Sequence, residues 1–221
     1  MRSSGLTRLC FHVETCGMMS ADKIDTPRTD RDLPALLRRL GRRNLVFIGL
    51  MGAGKTVIGR KVAGMLGLHF ADSDHEIEKV SRMTIPDLFA TYGEAEFRAL
   101  ERRVLARLLK GGPQVLSTGG GAFMNEATRR AIARRSVSVW LKADLDTLMH
   151  RVSKRKDRPL LNADDPRVVM QRLMDVRYPI YGQADVVVRS RDEDKDVIAG
   201  EVLDSLTRFL EQSRKGGAMP R

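Results

Sequence analysis

The sequence predicts a three-layer α/β fold, in which five parallel strands form a central sheet and helices cover both of its faces. Three observations predict it. Short apolar runs alternate with helical patterns from residue 44 onward, a glycine-rich segment joins the first run to the first helix, and no internal repeat or membrane-length apolar stretch interrupts the alternation. With 221 residues, 42% of them hydrophobic and 30% charged, the chain suits one well-cored domain, expected over residues 32–212.

Residues 1–31 mix Ser, Thr, Asp, Arg and Met without apolar periodicity, the composition of a disordered tail, and Met18 or Met19 is an alternative start. Leu33, Leu36, Leu37 and Leu40 recur at helical spacing, with Pro34 suited to the first turn and Gly41 to the end, so a short lead-in helix packs on the body. A strand over 44–50 feeds a helix over 55–66. A short run over 69–71 precedes helices through Glu76 and Leu100. Strands over 114–118, 137–141 and 185–188 then lead into a glycine triplet, a helix from Asp144 and a closing helix over 197–210. Phe97, Leu100, Val104, Leu105 and Leu108 carry core spacing and are read as packing. Around 153–166 the pattern breaks into KRKDRPLLNADDP, expected as a mobile loop, and 213–221 reads as a flexible tail.

The formal net charge of +11 fits a nucleic acid, an anionic small substrate or a solvated basic surface. Only 5% of residues are aromatic and no nucleic-acid motif is present, so no nucleic-acid partner is expected. Cys10 and Cys16 both lie in the tail, which excludes a disulfide within the body, and no Cys/His cluster has zinc-ligand spacing. The absence of a signal-like apolar core or membrane-length run leads us to expect a cytoplasmic chain with no membrane partner.

The segment Gly49-Leu50-Met51-Gly52-Ala53-Gly54-Lys55-Thr56 matches the phosphate-binding pattern G-x-x-x-x-G-K-[ST] in the context it requires, after an apolar strand and before a helix. Gly52, Ala53 and Gly54 offer backbone N–H groups to phosphate oxygens, and the helix beginning near Lys55 points its positive end at them. Lys55 is suited to the β- and γ-phosphates of ATP. Thr56 offers a hydroxyl to Mg²⁺, the expected metal cofactor. At the next sheet edge Asp72 and Asp74 stand two residues apart. Alone, such a pair also fits a helix cap. Beside a phosphate loop it supplies a carboxylate for the metal and another to orient or deprotonate an attacking hydroxyl.

Taken together, GLMGAGKT, FADSDHEIE, GEAEFRALE, LSTGGGAF, RPLL and RYPIY occur in the order in which shikimate kinases carry them, and the chain resembles that family over nearly all of 45–210. The resemblance implies a P-loop kinase fold like that of the nucleoside monophosphate kinases, with a mobile lid at about 153–166. It implies transfer of the ATP γ-phosphoryl group to the 3-hydroxyl of shikimate, within aromatic amino-acid biosynthesis, by a monomer. Residue by residue, it makes Asp74 the candidate base and a partner of the shikimate hydroxyls, and Asp72 a support for Mg²⁺ through water. Arg98 and Arg177 match the two arginines that grip the shikimate carboxylate, for which the guanidinium fork is suited. Gly119, Gly120 and Gly121 match the triplet where backbone approaches the substrate. Arg158 matches the lid arginine over the transferring phosphate, and Arg151 the arginine that lies against adenine.

Two departures stand out. Val57 replaces a second hydroxyl residue that many members carry, which predicts one fewer α-phosphate contact and weaker ATP binding, and the chain is about one residue shorter between Tyr181 and Ala184. A gluconate-type or nucleotide monophosphate kinase shares the loop and lid, and a non-catalytic kinase-like regulator shares the fold. The joint presence of D-x-D, Arg98, the glycine triplet and R-x-P-x-Y disfavours the former, and intact Lys55, Asp74 and Arg158 the latter.

Overall fold

The five apolar runs become strands β1 (Asn44–Ile48), β2 (His69–Asp72), β3 (Gln114–Ser117), β4 (Ser136–Lys142) and β5 (Val186–Arg189) of one sheet ordered β2-β3-β1-β4-β5, in a computed structural model that describes residues 32–154 and 165–215. Every pairing is parallel, with Leu45 of β1 opposite Val115 of β3 and Val137 of β4. All five residues of β1 are buried, as a central strand covered on both faces requires. The N-terminal tail, residues 216–221 of the expected C-terminal tail, most of the expected lid and Arg158 lie outside the described residues, whereas residues 213–215 continue the closing helix.

The helices are α1 (Leu33–Leu40), α2 (Lys55–Leu66), α3 (Ser73–Ser81), α4 (Ile85–Leu108), α5 (Glu126–Arg135), α6 (Leu145–Ser153), α7 (Pro166–Tyr181) and α8 (Lys195–Lys215). The chain moves outward from β1 to β2 through α2, then back from β2 to β3 through α3 and α4. Right-handed crossovers in opposite directions place α2 and α4 on opposite faces. Helix α8 packs on α2 and β5, while α5 packs on β4 and α4. The lead-in helix forms as its spacing predicts: Asp32 caps it, Gly41 ends it, and Leu36 and Leu40 are buried, each contributing about 1.5–3 kcal/mol.

Periodicity alone does not single out α5 and α7. In α5 only Thr128 and Ile132 are buried, too narrow a stripe to stand out among four arginines. In α7 Pro179 lies within the last turn, where the rule that proline ends a helix competes with tertiary anchoring. Anchoring prevails because the Tyr178 hydroxyl donates to the Ala143 carbonyl and the Tyr181 hydroxyl to the Gly120 carbonyl.

Most of the core forms one cluster around β1, β3 and β4. A second, smaller cluster of Ile77, Leu88, Phe97 and Val104 joins α3 to α4. Helix α4 kinks at Gly93 (φ 77°, ψ 175°), a conformation that favours glycine, and Leu88 before the kink packs in the same cluster as Phe97 and Val104 after it. The loop after β1, the end of β2 and the glycine triplet after β3 all leave the sheet at its carboxyl edge, beside the strand where the crossover direction reverses. Ligands of open α/β sheets bind there.

Candidate active site

Gly52, Gly54, Lys55, Thr56, Val57, Asp72, Asp74, Arg98, Gly119, Gly120, Gly121, Arg151 and Arg177 line one cleft of about 650 Å³. Among the described residues singled out from sequence, Ala53 alone lies beneath that surface. It is 1% exposed, its N–H donates to the Leu50 carbonyl, and its own carbonyl accepts from the Ser190 hydroxyl at 2.8 Å.

The loop after β1 takes its shape from glycine. Gly52 (φ 82°) and Gly54 (φ 91°) occupy the left-handed region, and Gly54 is the N-cap of α2, so the helix start faces the cleft. Lys55 Nζ donates to the carbonyls of Gly49 and Leu50 at 2.9 and 3.0 Å, which holds the ammonium over the loop. Thr56 Oγ1 donates to Asp72 Oδ2 at 2.8 Å and lies 3.4 Å from Ser117 Oγ. Asp72 caps a helix, as one interpretation of the D-x-D pair expects, and its second oxygen stays beside the phosphate loop. Its Oδ1 caps α3 by accepting from Asp74 N at 3.0 Å, and its Oδ2 belongs to an all-oxygen group at the loop.

Asp74 lies deeper. Burial, followed by the adjacent negative charge of Asp72, raises its pKa from 3.8 to about 6 against the pull of Lys55, with Glu101 adding to the rise. A carboxylate tuned to that range is partly ready to accept a proton near neutral pH.

Glu101 is the principal residue that motif reasoning passes over. It sits four residues after Phe97 and three before Val104, so it carries a carboxylate on the apolar stripe of α4, and it is 2% exposed. An acid on a core face was the available signal. Its Oε2 accepts from Arg98 Nη1 at 2.9 Å, while Oε1 has no hydrogen-bond partner among the described residues. Glu94 also accepts from Arg98, at 3.2 Å from Nη2, so the guanidinium is oriented from both neighbouring turns of the helix.

Close approach explains the glycine triplet. A Cβ at Gly119 would stand 2.7 Å from Asp74 Oδ1 and 2.9 Å from Glu101 Oε1. One at Gly121 would stand 2.5 Å from Arg98 Nη1, and one at Gly120 would stand 3.2 Å from Arg177 Nη1. Ser73, buried at the start of α3, accepts the Gly119 N–H at 3.1 Å and joins the two edges.

At the other end of the cleft Arg151 donates from Nη1 to Ser190 Oγ at 2.8 Å and to the Gly52 carbonyl at 3.3 Å, and from Nη2 to the Arg191 carbonyl at 2.5 Å. Arg191 is itself forked to Glu201 at 2.9 and 2.7 Å. Val57 is 42% exposed on the first turn of α2.

The sequence pattern described as shikimate kinase matches residues 51–207. The shikimate kinase of Mesorhizobium japonicum is 64% identical over 192 residues, spanning 87% of this chain and 94% of that protein. The chain belongs to the shikimate kinase family. A second shikimate kinase, from Rhizobium leguminosarum bv. trifolii, is 62% identical over 174 residues, 79% of this chain and 89% of its own length. Among solved structures, shikimate kinase from Acinetobacter baumannii in complex with shikimate superposes with a TM-score of 0.72 at 32% identity, covering 81% of this chain and 98% of that one. A gluconokinase from Sinorhizobium meliloti 1021 shares the fold at 18% identity and a TM-score of 0.52. Family membership thus agrees with the motif order, and the five-stranded parallel sheet agrees with the expected P-loop kinase fold.

Proposed function

We propose that this chain transfers the γ-phosphoryl group of ATP to the 3-hydroxyl of shikimate, yielding shikimate 3-phosphate and ADP. The observation that carries this reading is the meeting of the phosphate loop, Asp74, Arg98 and Arg177 in one cleft. A carboxylated alcohol gripped by the two guanidinium forks lies with its hydroxyls toward Asp74. The 3-hydroxyl oxygen forms the new bond to the γ-phosphorus, the bond from that phosphorus to the β–γ bridging oxygen breaks toward ADP, and the hydroxyl proton passes to the Asp74 carboxylate. Lys55 holds the β- and γ-phosphate oxygens. By family resemblance Arg158, outside the described residues, adds positive charge near the transferring group, and Arg151 lies against the nucleotide base.

Thr56 Oγ1 lies 2.8 Å from Asp72 Oδ2 and 3.4 Å from Ser117 Oγ, and these three hard oxygen donors fit Mg²⁺ bound directly or through water. Bound there, Mg²⁺ neutralises charge on the β- and γ-oxygens. A monomer acting in the cytoplasm completes the reading; no helix among the described residues is long and apolar enough to cross a membrane.

The test is ADP release with shikimate, gluconate and AMP, each with and without Mg²⁺. Mg²⁺-dependent turnover of shikimate above the other two is expected. Preferential turnover of gluconate or AMP overturns the assignment.

A further inference from the structure

The motif RYPIY carries two tyrosines for which the phosphoryl-transfer scheme has no use, and both aim their hydroxyls at backbone carbonyls of the sheet's carboxyl edge. Tyr178 donates to Ala143, which follows β4, and Tyr181 donates to Gly120, the middle of the glycine triplet. Their surroundings differ. Tyr181 is fully buried, with Phe123 and Trp140 against its ring at centroid distances of 6.4 and 5.9 Å. Its phenol pKa is raised by burial and pulled down by the guanidinium of Arg177, one turn earlier on α7. One hydroxyl therefore connects the residue that precedes it by one helical turn to the loop that lines the acceptor end of the cleft.

The geometry of that connection sets a direction. The peptide between Gly120 and Gly121 is trans, so the Gly121 N–H points away from the carbonyl that Tyr181 holds. A glycine triplet lacks side chains that would hold its peptides in one orientation, and this buried hydrogen bond supplies the constraint. It also fixes the spacing between that peptide and Arg177, whose Nη1 lies 3.2 Å from where a Gly120 Cβ would stand.

We propose that Tyr181 is a positioning residue for acceptor recognition: its hydroxyl locks the Gly120–Gly121 peptide and Arg177 into one register, so that backbone and guanidinium meet the acceptor carboxylate together. The inference rests on the carboxylate grip described above. It assigns Tyr181 no contact with substrate and no proton transfer. Tyr178, whose ring packs 6.2 Å from that of Tyr181, directs its hydroxyl to the β4–α6 connection and not to the Gly120 peptide.

The experiment compares Tyr181→Phe, Tyr178→Phe and Arg177→Ala in the full chain, using shikimate and its methyl ester as acceptors. Tyr181→Phe keeps the ring in its aromatic cluster and removes the hydroxyl alone. The expected result is a rise of about tenfold in KM for shikimate, kcat and the KM for ATP within about twofold, and a similar fall in the preference for acid over ester. Tyr178→Phe leaves that preference unchanged. Should Tyr181→Phe fail to fold, Tyr181→Trp and Tyr181→His, measured for the same acid-to-ester preference, take its place. An unchanged preference in every folded Tyr181 variant overturns the inference, as does a loss shared equally by ATP and both acceptors. If Arg177→Ala also leaves the preference unchanged, the carboxylate grip falls with it; if only Arg177→Ala lowers it, the grip stands and the role of Tyr181 does not.

Discussion

On the proposed nucleotide side of the cleft the chain offers eight consecutive residues, Gly49 to Thr56, and the proposed recognition rests on backbone geometry and a helix start. On the proposed acceptor side Asp74, Arg98, the glycine triplet and Arg177 arrive from four segments between residues 74 and 177, and the proposed recognition rests on partly buried charged side chains. The first arrangement leaves its one ammonium held by carbonyls. The second packs the carboxylates of Asp74 and Glu101 around Gly119 with a small satellite core behind them. Buried like charges cost stability until a cation or ligand compensates them. Substitutions at the buried charges of Asp74 and Arg98 should therefore change stability as well as activity, whereas those on the nucleotide side should move ATP affinity with little change in stability.

The largest expected break is at Asp74. Asp74→Asn should lower kcat by roughly 10²–10⁴-fold while ATP binding is retained, read by coupled ADP release and by nucleotide titration. The same change should stabilise the unliganded protein at pH 7, because a carboxyl whose pKa rises from 3.8 to about 6 on folding opposes folding by roughly 2–3 kcal/mol once ionised. Folding takes up a proton between those two values, so the gain should be complete above pH 6 and should vanish as pH falls toward 4. Thermal denaturation of both proteins across that range checks it, and a destabilised Asp74→Asn protein at pH 7 would contradict the strained-acceptor picture.

Next come the arginines. Arg98→Ala and Arg177→Ala should each raise the KM for shikimate about 10–100-fold, with little effect on the KM for ATP. They should part in stability, because only Arg98→Ala leaves Glu101 buried without its partner, at a cost of about 2–3 kcal/mol. Equal melting temperatures for the two variants would remove Glu101 from that account.

For the native protein, kcat/KM for shikimate should fall about tenfold per pH unit below an apparent pKa near 6, since the proposed step needs Asp74 deprotonated. A pH profile flat to pH 5 would separate Asp74 from proton transfer.

Smaller effects belong to the nucleotide side. Ser190→Ala removes the bridge between the Ala53 carbonyl and Arg151 and should raise the KM for ATP about threefold without moving that for shikimate. Val57→Ser, which restores the missing hydroxyl on the exposed first turn of α2, should lower the KM for ATP by no more than about twofold. If either substitution altered shikimate affinity instead, the division of the cleft into two halves would fail.

How far each half can be read from sequence follows the same division. The phosphate loop is legible because its function lies in contiguous backbone, where spacing, glycine content and the flanking strand and helix are all local properties. The five strands are legible too, with ends shifted by one or two residues, as at β1, where the strand stops at Ile48 rather than continuing to 50. Helix α7 is hidden by Pro179, where tertiary anchoring outweighs local propensity, and α5 by its arginines, which leave too narrow an apolar stripe for periodicity to show. On the acceptor side the motifs name Asp74, Arg98, Gly119–Gly121 and Arg177 by family resemblance. The motifs also span Glu101 and Tyr181 and name Thr56 and Asp72, but they do not give the burial of Glu101, the place of Ser117 beside Thr56 or the reach of Tyr181 to Gly120.

The order of elements, the phosphate loop and the family are thus properties of the linear chain, because each depends on neighbours a few residues apart or on motif order. The pKa of Asp74, the burial of the Arg98–Glu101 pair formed within α4 and the peptide that Tyr181 holds exist only after the helices and the sheet pack together. Desolvation and side-chain hydrogen bonds between distant residues have no counterpart in the unfolded chain.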